Sequence, residues 1–385
     1  MRIIQIIKLV LISKWKFLPP KNKKILIYDA GAYNPFHKYL KKYGYNLFFK
    51  RGEQINLFII LKCILQFNIS FCNYFKNYLK FCKPNIIITG IDNDTFFYQI
   101  SKRFKIKTIA LVNGNRTYWN DIFINKSINN KINKKNYFID YLLTLDDSTL
   151  KIYDSFISGK KKAIGSFKNN LQKIKKIKKK KEILFISGFR GHHYYNDKTI
   201  YKTKKGLSLS HKFFYQNDEK LIKWLSRKCE LENLKLNILP KSNLFKDAYK
   251  EFLYYSKVLK NKKLNFLYKN SNSYKILRKY KYIIAIESTL ANESLSNSFR
   301  TGLIFNRPYI FPILSRAFNY NAGLKKKGAF WTCSNLTKEF DRVFDFVVYG
   351  EDKKWFTIFK KLKKRNIIVR NDNNTFFSNL IKKLV

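Results

Sequence analysis

The sequence lacks most of the motifs that announce a familiar chemistry. It has no Gly-x-Gly-x-x-Gly and no Walker A pattern, which argues against dinucleotide binding and P-loop chemistry. Gly-x-Ser-x-Gly is missing too, so no hydrolase nucleophile elbow is expected. Only four histidines occur, with no His-Glu-x-x-His or Cys/His spacing around them, so no metal site of the zinc type is expected. The five cysteines, Cys63, Cys72, Cys82, Cys229 and Cys333, are odd in number and form no Cys-x-x-Cys pair. Scattered single thiols in a long chain point to a reducing compartment and buried apolar roles. No apolar run reaches the ~18 residues that a bilayer-spanning helix needs.

Acid is scarce as well. Twenty-five Asp+Glu stand against 78 Lys+Arg, a formal net charge of +53. So much charge must lie at the surface, where it attracts nucleic acid, acidic lipid or phosphorylated substrates. The lysines are spread along the whole chain and mark no stripe or arm, which weighs against dedicated nucleic-acid binding. Lys, Asn, Ile, Phe and Tyr also share AT-rich codons, so composition bias accounts for part of the charge.

What is present is enough apolar material for real cores: 45% hydrophobic and 17% aromatic residues in 385 allow two or three domains. Residues 1–20 carry an apolar run interrupted by Gln5 and Lys8 and followed by Lys14 and Lys16. The run lacks a small-residue cleavage site. It reads as an amphipathic helix, lying either on a membrane surface or on the protein itself. Short apolar runs bounded by breakers then predict strands at 24–29, 47–49, 86–89, 108–112, 141–145 and 163–165, with helices between them. A block of lysines, Lys173, Lys175, Lys176 and Lys178–Lys181, reads as a solvated linker over 171–181. The alternation resumes with strands at 183–187, 235–239, 264–268, 282–286, 301–305 and 367–369, and helices near 215–231, 246–260, 289–298, 337–349 and 374–384. Strands that are apolar throughout belong to parallel sheets covered on both faces. The expected fold is therefore α/β, with two Rossmann-like domains over 21–170 and 182–385 and a cleft between them.

Ligands of open α/β sheets bind at the carboxyl ends of the strands. In the first half this rule selects Asp29, Arg51, Glu53, Asp92, Asp94, Asn113 and Arg116. In the second it selects Ser187, Arg190, Lys241, Ser242, Glu287, Ser288, Thr289 and Glu293. The segment Ile283–Glu293 runs from a buried strand through hydroxyl residues into a helix. Ser288 or Thr289 caps that helix, either as a plain capping box or as the seat of an anion such as a diphosphate. Glu293 falls one turn in, within reach of ribose hydroxyls. Lys241 and Arg190 end strands and suit phosphate, although single lysines are common here. Asp92 and Asp94 suit Mg²⁺ with phosphate, a general base, or simply a turn.

Several of these pieces, in order, resemble a family of bacterial surface carbohydrate biosynthesis proteins that are glycosyltransferase-like with a GT-B architecture. They are Lys24–Asp29, Lys50–Asn56, Ile86–Thr89 with Asp92, Val112–Gly114 with Arg116, Gly165–Asn170, Ile186–Arg190, Glu287–Glu293 and Lys327–Thr332. Ala329 stands where proline is expected. The resemblance implies transfer of a sugar from a nucleotide-activated donor to a glycan or lipid-linked acceptor. It places Arg190, Lys241, Glu287, Ser288, Thr289 and Glu293 on the donor, and Asp29, Arg51, Glu53, Asn113 and Arg116 on the acceptor side, with Asp92 as general base. No metal or cofactor is implied beyond the nucleotide-sugar co-substrate. The setting implied is the cytoplasm, at the inner face of its membrane. Other readings stand beside it: a nucleotide-sugar epimerase or polyol-phosphate transferase of the same fold, or a non-catalytic basic protein of membrane surfaces or nucleic acid.

Overall fold

The computed structural model describes residues 12–29, 34–112, 114, 136–173, 180–189, 199–202, 208–242, 244–260, 264–268, 272–307, 317–318 and 323–385. Its strands in chain order are β1 (Lys14–Lys16), β2 (Ile25–Tyr28), β3 (Tyr45–Phe48), β4 (Gln54–Asn56), β5 (Ile86–Thr89), β6 (Lys107–Leu111), β7 (Phe138–Thr144) and β8 (Ser158–Ala163). There follow β9 (Lys180–Ile186), β10 (Thr199–Lys202), β11 (Ser208–Ser210), β12 (Leu236–Leu239), β13 (Tyr280–Ala285), β14 (Arg300–Ile304), β15 (Lys327–Gly328) and β16 (Trp331–Thr332).

Two six-stranded sheets result. The first, in the order β3-β2-β5-β6-β7-β8, is parallel throughout. The second, β12-β9-β13-β14-β16-β15, is parallel apart from its last pair. Alternate residues of the first sheet feed two cores. Leu26, Tyr28, Ile87, Ala110 and Leu142 meet the helices Leu57–Leu65, Phe71–Cys82 and Phe97–Phe104 on one face. Ile25, Ile27, Ile86, Ile88 and Ile109 meet Phe36, Leu40 and the closing helix Thr375–Leu384 on the other. Burial on both faces is why these strands lack polar alternation. The chain thus returns at its end to the first sheet, with Phe377, Leu380 and Ile381 in that core. The second core gathers β9, β13 and the helices His211–Leu231, Phe245–Leu259, Thr337–Val348 and Asp352–Lys364. Gly302 in β14 sits where a Cβ would come within 2.8 Å of Ile284 Cδ1 and 2.9 Å of Val343 Cγ1, so the helix above can lie close to the sheet.

Glycine scarcity shows at the helix ends. Lys83, Lys105 and Lys260 take the left-handed C-cap conformation that glycine usually supplies.

Several expected elements differ. Lys14–Lys16 of the expected N-terminal helix is a strand paired with β4, and residues 1–11 lie outside the described ones, as does most of the lysine linker. The strand expected at 264–268 reduces to one bridge between Phe266 and Ile238. That at 367–369 gives way to a bridge between Gly165 and Arg370. The helix Asp352–Lys364 was hidden in a lysine-rich stretch, although Trp355, Phe359 and Leu362 mark its buried stripe.

Candidate functional site

Among their parallel strands the sheets reverse order between β2 and β5 and between β9 and β13, and the crevice at such a reversal is where α/β sheets hold ligands.

At the first reversal the polar groups are paired among themselves. Tyr28 donates its hydroxyl to Asp94 Oδ2 at 2.7 Å, and Lys50 forms an ion pair with the same carboxylate. Burial is the leading cause that drives the Tyr28 phenol far above its ordinary value, with Asp94 adding to it. Asp29 ends β2 with φ +60°, in the left-handed region. Its Oδ2 accepts from Arg51 Nε at 3.1 Å, while its buried Oδ1 has no hydrogen-bond partner among the described residues. Asp92 is fully buried. Its carboxylate accepts the Tyr153 hydroxyl and its carbonyl accepts the Tyr98 hydroxyl at 2.6 Å, so it braces the 90–94 turn against the helices 97–104 and 147–154. Glu53 is exposed, and its carbonyl accepts from Lys14 N at 3.0 Å. Asn113 and Arg116 lie outside the described residues. Gly114 between them sits where a Cβ would be 3.4 Å from Thr289 Oγ1, so this turn of the first half meets the second half's helix end.

At the second reversal β13 leads through Glu287 into the helix Thr289–Ser296. Ser288 caps that helix, accepting from Leu290 N at 3.2 Å. Glu287 pairs with Arg307, whose Nη2 lies 3.0 Å from Asp218 Oδ2, and all three side chains are buried. Glu287 is therefore tied into an ion cluster under the helix end, and it also lines the cavity beside that end. Lys241 contributes its backbone amide, 3.0 Å from the buried Glu251 carboxylate, while the residue itself is exposed. Arg190 lies outside the described residues.

Two cavities flank the first turn of Thr289–Ser296. One is lined in the second half by Glu287, Ser288, Asn292, Phe318, Trp331 and Thr332, among others. The other joins the halves: Asp146 and Ser166 come from the first, Thr289, Asn292 and Glu293 from the second. Glu293 bonds the Ser166 hydroxyl across this junction. Burial pushes its carboxyl up to about 7, against the pull of the Ser166 and Tyr274 hydroxyls. Asp146 is likewise raised by burial, although its Oδ1 accepts from Thr149 N at 2.6 Å. Two carboxyls from different halves with raised values thus share one cavity, an arrangement characteristic of functional clefts. Asp146 was missed in the sequence, although it follows directly on β7 and obeys the strand-end rule. Beside the cavity the joint is fixed by amides: Asn169 Nδ2 donates to Ser296 Oγ at 2.7 Å and Asn297 Nδ2 to Asn169 Oδ1 at 2.8 Å. Among the described residues no three His, Cys, Asp or Glu side chains gather into a metal-binding group.

Two α/β halves of this topology, with a cleft at the carboxyl ends of their strands, define a GT-B fold. Solved structures agree. The wall teichoic acid polymerase TagF, in a form soaked with CDPG, superposes with a TM-score of 0.51 at 13% identity, covering 94% of this chain and 89% of that one. The UDP-GlcNAc 2-epimerase of Methanocaldococcus jannaschii, in complex with UDP-GlcNAc and UDP, gives 0.51 at 11% identity, covering 93% and 99%. At such identities these likenesses concern the fold alone. Among curated proteins none matches the sequence. The family described as "putative O-antigen biosynthesis protein" matches residues 109–385. The chain belongs to that family.

Proposed function

We propose that the chain is a glycosyltransferase that moves a sugar from a nucleotide-activated donor to a glycan or lipid-linked acceptor in the cleft between its halves. The observation that carries this reading is the placement of one helix end, that of Thr289–Ser296, between a cavity of the second half and a cavity shared by both. The helix terminus offers N–H groups and a positive dipole end to a diphosphate. The nucleoside occupies the cavity floored by Trp331 and Phe318, with a ring face to stack on. The sugar then projects into the shared cavity, toward the first half.

There the acceptor oxygen bonds the anomeric carbon as the bond from that carbon to the diphosphate breaks. The acceptor's proton needs a base. Asp92 is fully buried and accepts from Tyr153, so it presents no face to an acceptor. Asp146 lines the shared cavity, and burial raises its carboxyl, which makes it a stronger base than an ordinary aspartate. We therefore move the base from Asp92 to Asp146. Glu293 exchanges Ser166 for a donor ribose hydroxyl. Asp29 and Arg51 contact the acceptor, and Arg190 and Lys241 balance the leaving diphosphate without a metal ion.

The test is turnover on a panel of UDP- and CDP-activated donors. Asp146→Asn is expected to lower kcat by about 10²–10⁴-fold with donor KM retained, whereas Glu293→Ala raises donor KM. Unchanged kcat in the first variant, or unchanged KM in the second, overturns the assignment concerned. Product analysis without acceptor separates transfer from epimerisation, which consumes none.

A further inference from the structure

The hairpin formed by helices Leu57–Leu65 and Phe71–Cys82 carries a cluster of exposed apolar side chains at its tip. Leu65 is 72% exposed, Phe67 99% and Ile69 73%, with Leu61, Ile64 and Phe71 exposed beside them. The polar side chains of the same turn bond to one another, Asn77 buried and Gln66, Asn68 and Ser70 exposed. Asn73 Nδ2 donates to Gln66 Oε1 at 3.0 Å and to the Asn68 carbonyl at 2.8 Å. Asn77 Nδ2 donates to Gln66 Oε1 at 2.8 Å, and Ser70 Oγ to Asn68 Oδ1 at 2.7 Å. Phe67 is held at φ +50°, a conformation that disfavours bulky residues, and its amide bonds the Ile64 carbonyl at 2.8 Å. A turn whose only task was to connect two helices would not leave Leu65, Phe67 and Ile69 together in solvent.

The charge around the tip has one sign. No aspartate or glutamate occurs between Glu53 and Asp92, whereas Lys62, Lys76 and Lys80 are exposed on the two helices. An apolar, rigid, protruding tip ringed by lysines complements an anionic phospholipid surface: the apolar side chains enter the acyl region and the ammonium groups meet the headgroups. We infer that the 61–71 tip docks the first half on an anionic bilayer, which brings a lipid-linked acceptor to the cleft. Its purpose rests on the acceptor reading above; the docking itself does not.

Co-sedimentation with phosphatidylcholine vesicles, with and without phosphatidylglycerol, tests it on the full chain. The wild type is expected to bind the mixed vesicles, more weakly at high salt. Phe67→Ser/Ile69→Ser is expected to lose at least about tenfold in partitioning, and each Lys→Gln change at 62, 76 and 80 about fivefold. Unaltered thermal melting shows that the exposed variants fold. Wild-type failure to bind mixed vesicles, or wild-type binding by the double variant, overturns the proposal. So does a double variant that changes only the oligomeric state in light scattering, since a second copy then occupies the tip. Donor binding by calorimetry is expected to be unchanged in these variants, so failure here leaves the transferase reading standing, and the reverse.

Discussion

The two sheets share the order of their first four strands and the reversal within it, yet they treat that reversal in opposite ways. At the first, the side chains close on one another: Tyr28 and Lys50 on Asp94, Arg51 on Asp29, Tyr153 on Asp92. At the second, the charges sink beneath the surface as the Asp218–Arg307–Glu287 cluster, and a helix end is left over two cavities. Burying an ion cluster is expensive unless its members are all paired. Here it fixes the strand-to-helix turn from below without filling the space above. On the function proposed above, the second half would offer a preformed anion seat, and the groups of the first would have to exchange partners to receive an acceptor.

Breaking the buried cluster is expected to give the largest effect. Arg307→Met leaves two carboxylates buried without their cation, at a cost of about 3–5 kcal/mol. The corresponding change in the first half, Asp94→Asn, removes a pair in which Lys50 is 31% exposed, and water makes good part of the loss, leaving about 1 kcal/mol. Urea unfolding of the two variants checks the contrast. Equal losses mean that the halves do not differ in the way described.

The junction offers a second test, of intermediate size. Glu293 is raised from 4.5 to about 7 by burial, so the folded state holds its proton more tightly than the unfolded chain does. The associated stability is fully present below the unfolded value and is lost as pH rises through the folded one. Glu293→Gln cannot ionise. It is expected to remove the decline between pH 4.5 and 7 and to exceed the wild type above that window by on the order of 3 kcal/mol. Parallel melting curves for variant and wild type across that range would sink the idea.

Much of this architecture was legible in advance because its physics is local. A strand covered on both faces must be apolar at every position, so Ile86–Thr89 and Ile283–Ile286 identified themselves, and the strand-end rule led directly to Ser288 and Glu293. What escaped depends on pairings distant in sequence. Nothing near Asp92 says that Tyr153 will cover it. Glu287 is joined to Asp218 only by Arg307. The closing helix 375–384 carries an ordinary amphipathic pattern, and only the tertiary structure sends it back to the first sheet. Asp146 lay within the rule's reach, two residues past β7, and it also caps the helix Asp147–Asp154.

That double use, cap and site, is what the smallest predicted effect examines. Ser288 accepts from Leu290 N, so Ser288→Ala costs about 1 kcal/mol as a lost N-cap whatever the helix end holds. If the terminus also seats the donor's diphosphate, the variant further raises donor KM, because a loosened first turn presents its N–H groups less well. Ser288→Gly separates the two: a glycine cap costs only a few tenths of a kcal/mol, so its stability returns nearly to the wild type while any contact from the hydroxyl to phosphate stays lost. A donor KM that follows stability across Ala and Gly means the hydroxyl serves the helix alone. A KM raised equally in both places the serine on the donor.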